Sequence, residues 1–250
     1  MSLLQVTQLV KRFGGLVATD HLDLEVRPGE LHAIIGPNGA GKTTLLSQLS
    51  GELMPSEGKI LLNGVDLTFA PVHRRARLGI ARSYQITQVF TEFSVLQNVM
   101  FAIQALAGHS FSFWRPAATD ALLKAPAMQA LEEVGLADKA AVQVASLAHG
   151  ARRQLEIAMT LAMRPKLLLL DEPMAGMSQQ ESHEVVELLQ RLKGRYGIVL
   201  VEHDMDAIFS LADRISVLVY GRPIACGTPQ EIRDSQEVRM AYLGDQEEVL

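Results

Sequence analysis

Cysteine is almost absent from this sequence: Cys226 is the single one in 250 residues, which excludes an internal disulfide and points to a reducing compartment, the cytoplasm. Long hydrophobic runs are missing too. The densest apolar stretch, Leu167 to Leu170, is bounded by Lys166 and Asp171, far short of the roughly 20 residues that span a bilayer. The chain is therefore expected not to cross a membrane unaided. The N-terminal MSLLQVTQLV runs into Lys11 and Arg12 without the apolar core and small-residue cleavage site of a secretory signal. Positive charge is not in excess. There are 23 Lys and Arg against 28 Asp and Glu, a net charge of −5, so no global field recruits nucleic acid or anionic lipid, and any polyanion must be held at a local site. No low-complexity tract or internal repeat is visible, and each motif described below occurs once.

The residues that are present, 48 % hydrophobic and 20 % charged, have the composition of a globular protein and exclude disorder and collagen-like chains. At ~150 residues per domain, the length fits one large domain with an embedded subdomain. Leu22, Leu24 and Val26 alternate with polar residues, Pro28-Gly29-Glu30 turns, and Leu31 to Ile35 is a continuous apolar strand. Ile60 and Leu62 alternate again before the Asn63-Gly64 turn signal, which predicts an antiparallel β-rich start. From about Val95 to Met163 the periodicity is helical, with Leu96, Val99, Met100 and Ile103 on one face and Leu131, Val134 and Leu136 closing a second segment. Gly108 to Pro126 has no clear period and is predicted to be an irregular connection or insertion. Strands at Leu167–Leu170, Ile198–Val201 and Ile215–Val219 then alternate with helices, the signature of a parallel sheet. Ser178 and Glu181 form a capping-box pattern ahead of Val185, Leu188, Leu189 and Leu192, and Gly194 ends that helix.

Directly after the strand ending at Ile35 stands Gly36-Pro37-Asn38-Gly39-Ala40-Gly41-Lys42-Thr43-Thr44, a full GxxxxGK[ST] match in strand–loop–helix context. Its glycines let backbone N–H groups turn inward around phosphate oxygens, and the helix that follows points its positive dipole end at them. Lys42 supplies a mobile cation for the outer phosphates, and the Thr43 hydroxyl is a ligand for Mg²⁺. The buried run ending in Asp171-Glu172 delivers the partner acids: Asp171 to organise Mg²⁺, Glu172 to activate or position the attacking water. No Asn-Lys-x-Asp base-reading motif occurs, which disfavours a Ras-type GTPase.

Together these residues resemble the ATP-binding subunit of an ABC transporter, over nearly the whole chain. Gln85 in Ala81-Arg82-Ser83-Tyr84-Gln85 is similar to the family's glutamine that senses metal, water and the membrane partner, and His203 in Val201-Glu202-His203-Asp204 to its γ-phosphate-contacting histidine. Phe13 resembles the aromatic that stacks on adenine, an interaction worth ~1–3 kcal/mol per base in nucleic-acid systems. The family's signature loop, usually Leu-Ser-Gly-Gly-Gln, corresponds to Leu147-Ala148-His149-Gly150-Ala151. Gly150 and the helix N-terminus can still aim N–H groups at a phosphate. Ala148 has no hydroxyl to donate and Ala151 replaces the glutamine, so slower or weaker turnover is expected. The resemblance implies an α/β fold: a P-loop NTPase (RecA-like) core with an antiparallel β-subdomain and an embedded α-helical subdomain. In that scheme residues 1–90 and 164–237 form the core, 91–163 the helical part with the signature loop, and 238–250 a tail.

The resemblance further implies ATP and Mg²⁺ as cofactors, with catalytic roles for Lys42, Gln85, Glu172 and His203. Nucleotide contacts come from Phe13, residues 36 to 44, and Ala148, His149 and Gly150; Thr43, Gln85 and Asp171 form the metal's surroundings. One phosphate loop and one signature loop per chain imply an ATPase dimer, with an identical copy or a paralogue, and Pro173 to Ser178 falls on the family's dimer-contact loop. Arg152 to Ala158, the stretch Glu172 to Met177 and the end Val238 to Gly244 are similar to the larger ATPase subunit of branched-chain amino-acid importers. Two integral-membrane permease subunits, a solute-binding protein, no nucleic acid, and a peripheral place on the cytoplasmic face of the plasma membrane follow from that likeness. Import of amides or urea, a soluble ABC protein acting on DNA or ribosomes, and a regulatory module without turnover are the alternatives.

Overall fold

In this computed structural model, which describes residues 2–83, 89–107 and 121–244, the alternating N-terminal segments pair into the antiparallel sheet that their period of two predicts. Its strands are β1 (Leu4–Phe13), β2 (Leu16–Val26), β4 (Glu57–Leu62) and β5 (Val65–Asp66), in the order β2-β1-β4-β5. Asn63 and Gly64 both take positive φ, 48° and 77°, the geometry of a type I′ hairpin turn between β4 and β5. Between β2 and β4 the chain forms β3 (Leu31–Ile35) and α1 (Lys42–Ser50).

A second sheet of six strands contains β3 with β6 (Ile80–Ser83), β7 (Leu167–Asp171), β8 (Gly197–Val201), β9 (Arg214–Val219) and β10 (Arg222–Gly227), in the order β10-β9-β3-β8-β7-β6. All neighbours are parallel except β10, which returns antiparallel to β9 through a Tyr220-Gly221 turn. The helices are α2 (Val72–Leu78), α3 (Val95–Ala107), α4 (Ala121–Glu133), α5 (His149–Ala162), α6 (Gln179–Leu192), α7 (Met205–Leu211), α8 (Pro229–Asp234) and α9 (Gln236–Gly244).

The central strands of the parallel sheet are buried on both faces, which explains why Leu167 to Leu170 of β7 and Ile198 to Val201 of β8 read as unbroken apolar runs. Leu167 and Leu169 of β7 pack with Leu45, Leu46 and Leu49 of α1 and with Leu4, Val6 and Ile60 of the antiparallel sheet. Their neighbours Leu168 and Leu170 face the other way, into a core shared with Val99 of α3, Leu131 of α4, Leu155 of α5 and Leu188 of α6. Arg75 of α2 is fully buried and spreads its guanidinium over the carbonyls of Gln48, Leu49, Thr68 and Ala70 at 2.6 to 3.0 Å. It caps the C-terminal end of α1 with a group that burial lowers to a pKa of about 10 and that remains cationic at neutral pH.

One sequence expectation is corrected. Residues 108–120 of the predicted irregular connection lie outside the described residues, but 121–126 are helical and Pro126 falls inside α4. Proline there forfeits one helical hydrogen bond, yet Ala127, Ala130 and Leu131 beyond it are buried, and tertiary packing of that face outweighs the local preference. Among the described residues no helix is long and apolar enough to cross a membrane.

Candidate functional site

The phosphate-type loop hangs from the C-terminal end of β3, the central position at which parallel sheets place ligands. Two of its glycines are dictated by close approach. An added Cβ on Gly36, at φ 151°, would lie 2.1 Å from the Leu218 carbonyl oxygen, and one on Gly41, at φ 97°, would lie 2.3 Å from that of Ala18. Gly41 is also the N-cap of α1 and brings no side chain to it, so the first-turn N–H groups are offered to an outside acceptor. Lys42 is 7 % exposed and its Nζ donates to the carbonyls of Gly36 and Pro37 at 2.5 and 2.9 Å. Burial pushes its pKa down, while the charges of Glu172 and Asp171 pull it back up.

A cavity of about 440 Å³ opens over this loop, lined by Phe13 and by Asn38 to Thr44, with Glu172 and His203 on its wall. Gly36, Pro37 and Asp171 do not line it. Phe13, half-exposed at the end of β1, presents its ring to the cavity, and the Lys11 ammonium stands 5.2 Å from the ring centroid. Tyr220, in the turn after β9, is a second exposed aromatic on the same rim.

Strand β7 brings the acids. Asp171, 2 % exposed, accepts from Arg82 Nη2 at 2.7 Å through one oxygen, whereas its Oδ1 is buried with no hydrogen-bond partner. A buried carboxylate oxygen left unpaired is costly, and it suits a hard cation that takes oxygen ligands from a carboxylate, a hydroxyl and phosphates. The donor set thus fits Mg²⁺ held by Asp171 and Thr43; Gln85 lies outside the described residues.

Glu172 follows in a left-handed conformation, φ 47°, unusual for a side-chain-bearing residue. Its N–H donates to the Val201 carbonyl at 2.9 Å, and its Oε1 meets His203 Nε2 at 2.8 Å. Two residues that sequence motifs do not expose hold this pair in place. Buried Glu202 accepts the N–H of Met174 at 2.7 Å and of His203 at 3.0 Å, although burial raises its pKa against those bonds. Arg153 of α5 reaches the carbonyls of Asp171, Glu172 and Pro173 at 2.9, 3.1 and 3.1 Å.

Ala148, His149 and Gly150 do not line this cavity. Ala148 is the N-cap of α5 and offers no side-chain cap, as expected of alanine, and the N–H of Gly150 donates to Glu181 Oε1 at 2.9 Å. The other oxygen of Glu181 completes the predicted capping box with Ser178.

A glycine-turned loop at the head of a helix, a buried lysine, and an acid pair at the end of a strand two places away in the same parallel sheet define a P-loop nucleotide-binding protein. The chain belongs to the ABC transporter family, whose sequence profile matches residues 19–175, and it is an ATPase of that family. A second profile, described as a branched-chain amino acid ATP-binding cassette transporter, matches residues 222–248. The chain is 40 % identical, over 97 % of its length and 98 % of the relative's, to the high-affinity branched-chain amino acid transport ATP-binding protein LivG of Escherichia coli K12. It is 38 % identical, over the same shares, to BraF of Pseudomonas aeruginosa, which carries the same description. Among solved structures, an ATP-binding cassette of an ABC transporter in its ADP conformation superposes with a TM-score of 0.87 at 26 % identity, covering 98 % of this chain and 99 % of that one.

Proposed function

We propose that this chain is the ATP-hydrolysing subunit of an importer for branched-chain or other hydrophobic amino acids, working as a dimer beneath two permease subunits that a solute-binding protein loads. The observation that carries the reading is the Glu172–His203 contact of 2.8 Å on the wall of the cavity that also holds Lys42. Adenine stacks on Phe13 and the phosphates lie along residues 36 to 44. Mg²⁺, when bound by Thr43 and Asp171, neutralises charge on the transferring phosphoryl group. Glu172 aligns water for in-line attack and takes its proton, while the His203 imidazole orients that carboxylate and faces the γ-phosphate. Lys42 stabilises the charge that develops on the outer oxygens.

Dimerisation is supported by the division of parts: the signature residues Ala148, His149 and Gly150 stand apart from the chain's own cavity, as expected if they complete the site of a second subunit. Permease docking is supported by an apolar groove of about 170 Å³ between β6, α3 and α5, lined in part by Ala102, Met159 and Met163. Close in sequence, Phe90 and Phe93 are half-exposed and pack edge-to-face with Phe101 at 5.6 and 5.1 Å and with each other at 6.0 Å, the amphipathic surface a partner covers. Such docking places the chain on the cytoplasmic face of the plasma membrane.

The cargo assignment leans on the LivG and BraF likeness and on the match at residues 222–248. Affinity capture of the chain with its membrane and solute-binding partners, followed by ATP-driven uptake in vesicles, tests it. Uptake of leucine, valine or isoleucine is expected; uptake of amides or urea instead, or capture of ribosomes, contradicts it.

A further inference from the structure

The mechanism above needs Glu172 in a backbone conformation that a side-chain-bearing residue does not choose for itself. A left-handed φ of 47° is unfavourable for a non-glycine residue, so surrounding contacts must impose it. The N–H of Glu172 is taken by Val201 in β8, and its carbonyl is taken by Arg153.

Arg153 does more than cap one carbonyl. Its guanidinium, 4 % exposed, spans three consecutive peptide oxygens, those of Asp171, Glu172 and Pro173, and pairs with Glu156 one turn further along the helix. A planar fork with five donors holds several acceptors in a fixed geometry, whereas the three donors of an ammonium radiate from a single point charge. The base of this fork lies in α5, three residues after Gly150, so both fall on one side of that helix. Gly150 is itself fastened, through its N–H, to Glu181 at the start of α6. The segment between β7 and α6 is thus tied to α5 near both of its ends.

We propose that Arg153 is a positioning residue that ties the placement of Glu172 to the placement of α5. The inference rests on the dimer reading given above. There, the N-terminus of α5 serves nucleotide held by the opposite subunit, while Glu172 serves the chain's own site. Seating of the opposite nucleotide fixes α5, and the guanidinium passes that order to the Glu172 backbone, so each site fires when the other is filled. Arg153 touches neither nucleotide nor water in this scheme; its effect goes through Glu172.

The test compares full-length wild type with Arg153→Lys and Arg153→Met in nucleotide binding, thermal melting and ATP-dependent steady-state turnover. Arg153→Lys retains the cation beside Glu156, so it stays folded even if Arg153→Met does not. The expected result for the lysine variant is ATP affinity within about twofold of wild type and kcat down about tenfold or more, because loss of alignment acts on the chemical step. Its Hill coefficient is expected to fall from nearly 2 in wild type toward about 1, the ceiling being the number of sites. A purely structural arginine would lower melting temperature and active fraction without changing the Hill coefficient. Wild type with a Hill coefficient of about 1 overturns the dimer reading and this inference with it. Cooperative wild type and an equally cooperative, equally fast Arg153→Lys overturn the inference alone.

Discussion

His32, although fully buried, is held between Glu30 at 3.0 Å and Ser216 at 2.8 Å, and it also sets the chemistry of the chain's one cysteine. The neighbouring His32 is the largest cause that lowers the Cys226 thiol from 9.0 to about 7, with Arg214 Nη2 at 3.2 Å from its sulfur. A depressed acid pKa means more thiolate at neutral pH, and the thiolate is the nucleophile. Alkylation of Cys226 by iodoacetamide is therefore expected to rise with a midpoint near pH 7, and His32→Gln is expected to move the midpoint upward. A wild-type midpoint near the unshifted 9.0 contradicts this. Nothing in the sequence announced the cluster, because His32, Ser216 and Cys226 come from three strands joined only in the folded sheet, with Glu30 just ahead of the first. Lys42, Asp171, Glu172 and His203, by contrast, were legible: each belongs to a contiguous motif. Arg82, Arg153 and Glu202 were not, since they act on groups distant in sequence, and a buried arginine bonded to carbonyls leaves no local pattern.

Elements were legible where local chemistry fixes them. The Asn63-Gly64 turn, the strand beginning at Leu167 and the Ser178 cap all form as predicted. A second capping box at Thr228 and Glu231 opens α8, with Pro229 at its first turn; the Thr-Pro-x-Glu spacing carried the same signal and could have been read. Helix α4 hid behind Pro126, whose local veto is overruled by contacts that periodicity cannot see. Because Ser178 Oγ caps α6 while Glu181 also reaches Gly150, Ser178→Ala is expected to destabilise the protein by about 1 kcal/mol in urea unfolding. Gly at the same position should cost only a few tenths of that unit. Equal stability of the alanine variant and wild type would show that Glu181 alone suffices at this helix start.

At the scale of the whole molecule, one sheet buried on both faces carries the phosphate loop, the acid pair and His203 on its C-terminal edge, while α5 holds the signature residues away from them. The single copy of each motif in the sequence agrees with the dimer of cassettes proposed above. Hydrolysis driven by Glu172 in this arrangement is tested most directly by Glu172→Gln. The amide is isosteric with the carboxylate but cannot accept the proton of the attacking water. With nucleotide binding and turnover measured on the same preparation, the expected result is ATP affinity near that of wild type, a kcat lowered by about 10² or more, and an ATP-dependent dimer that persists in light scattering. Turnover at the wild-type rate in Glu172→Gln would contradict it.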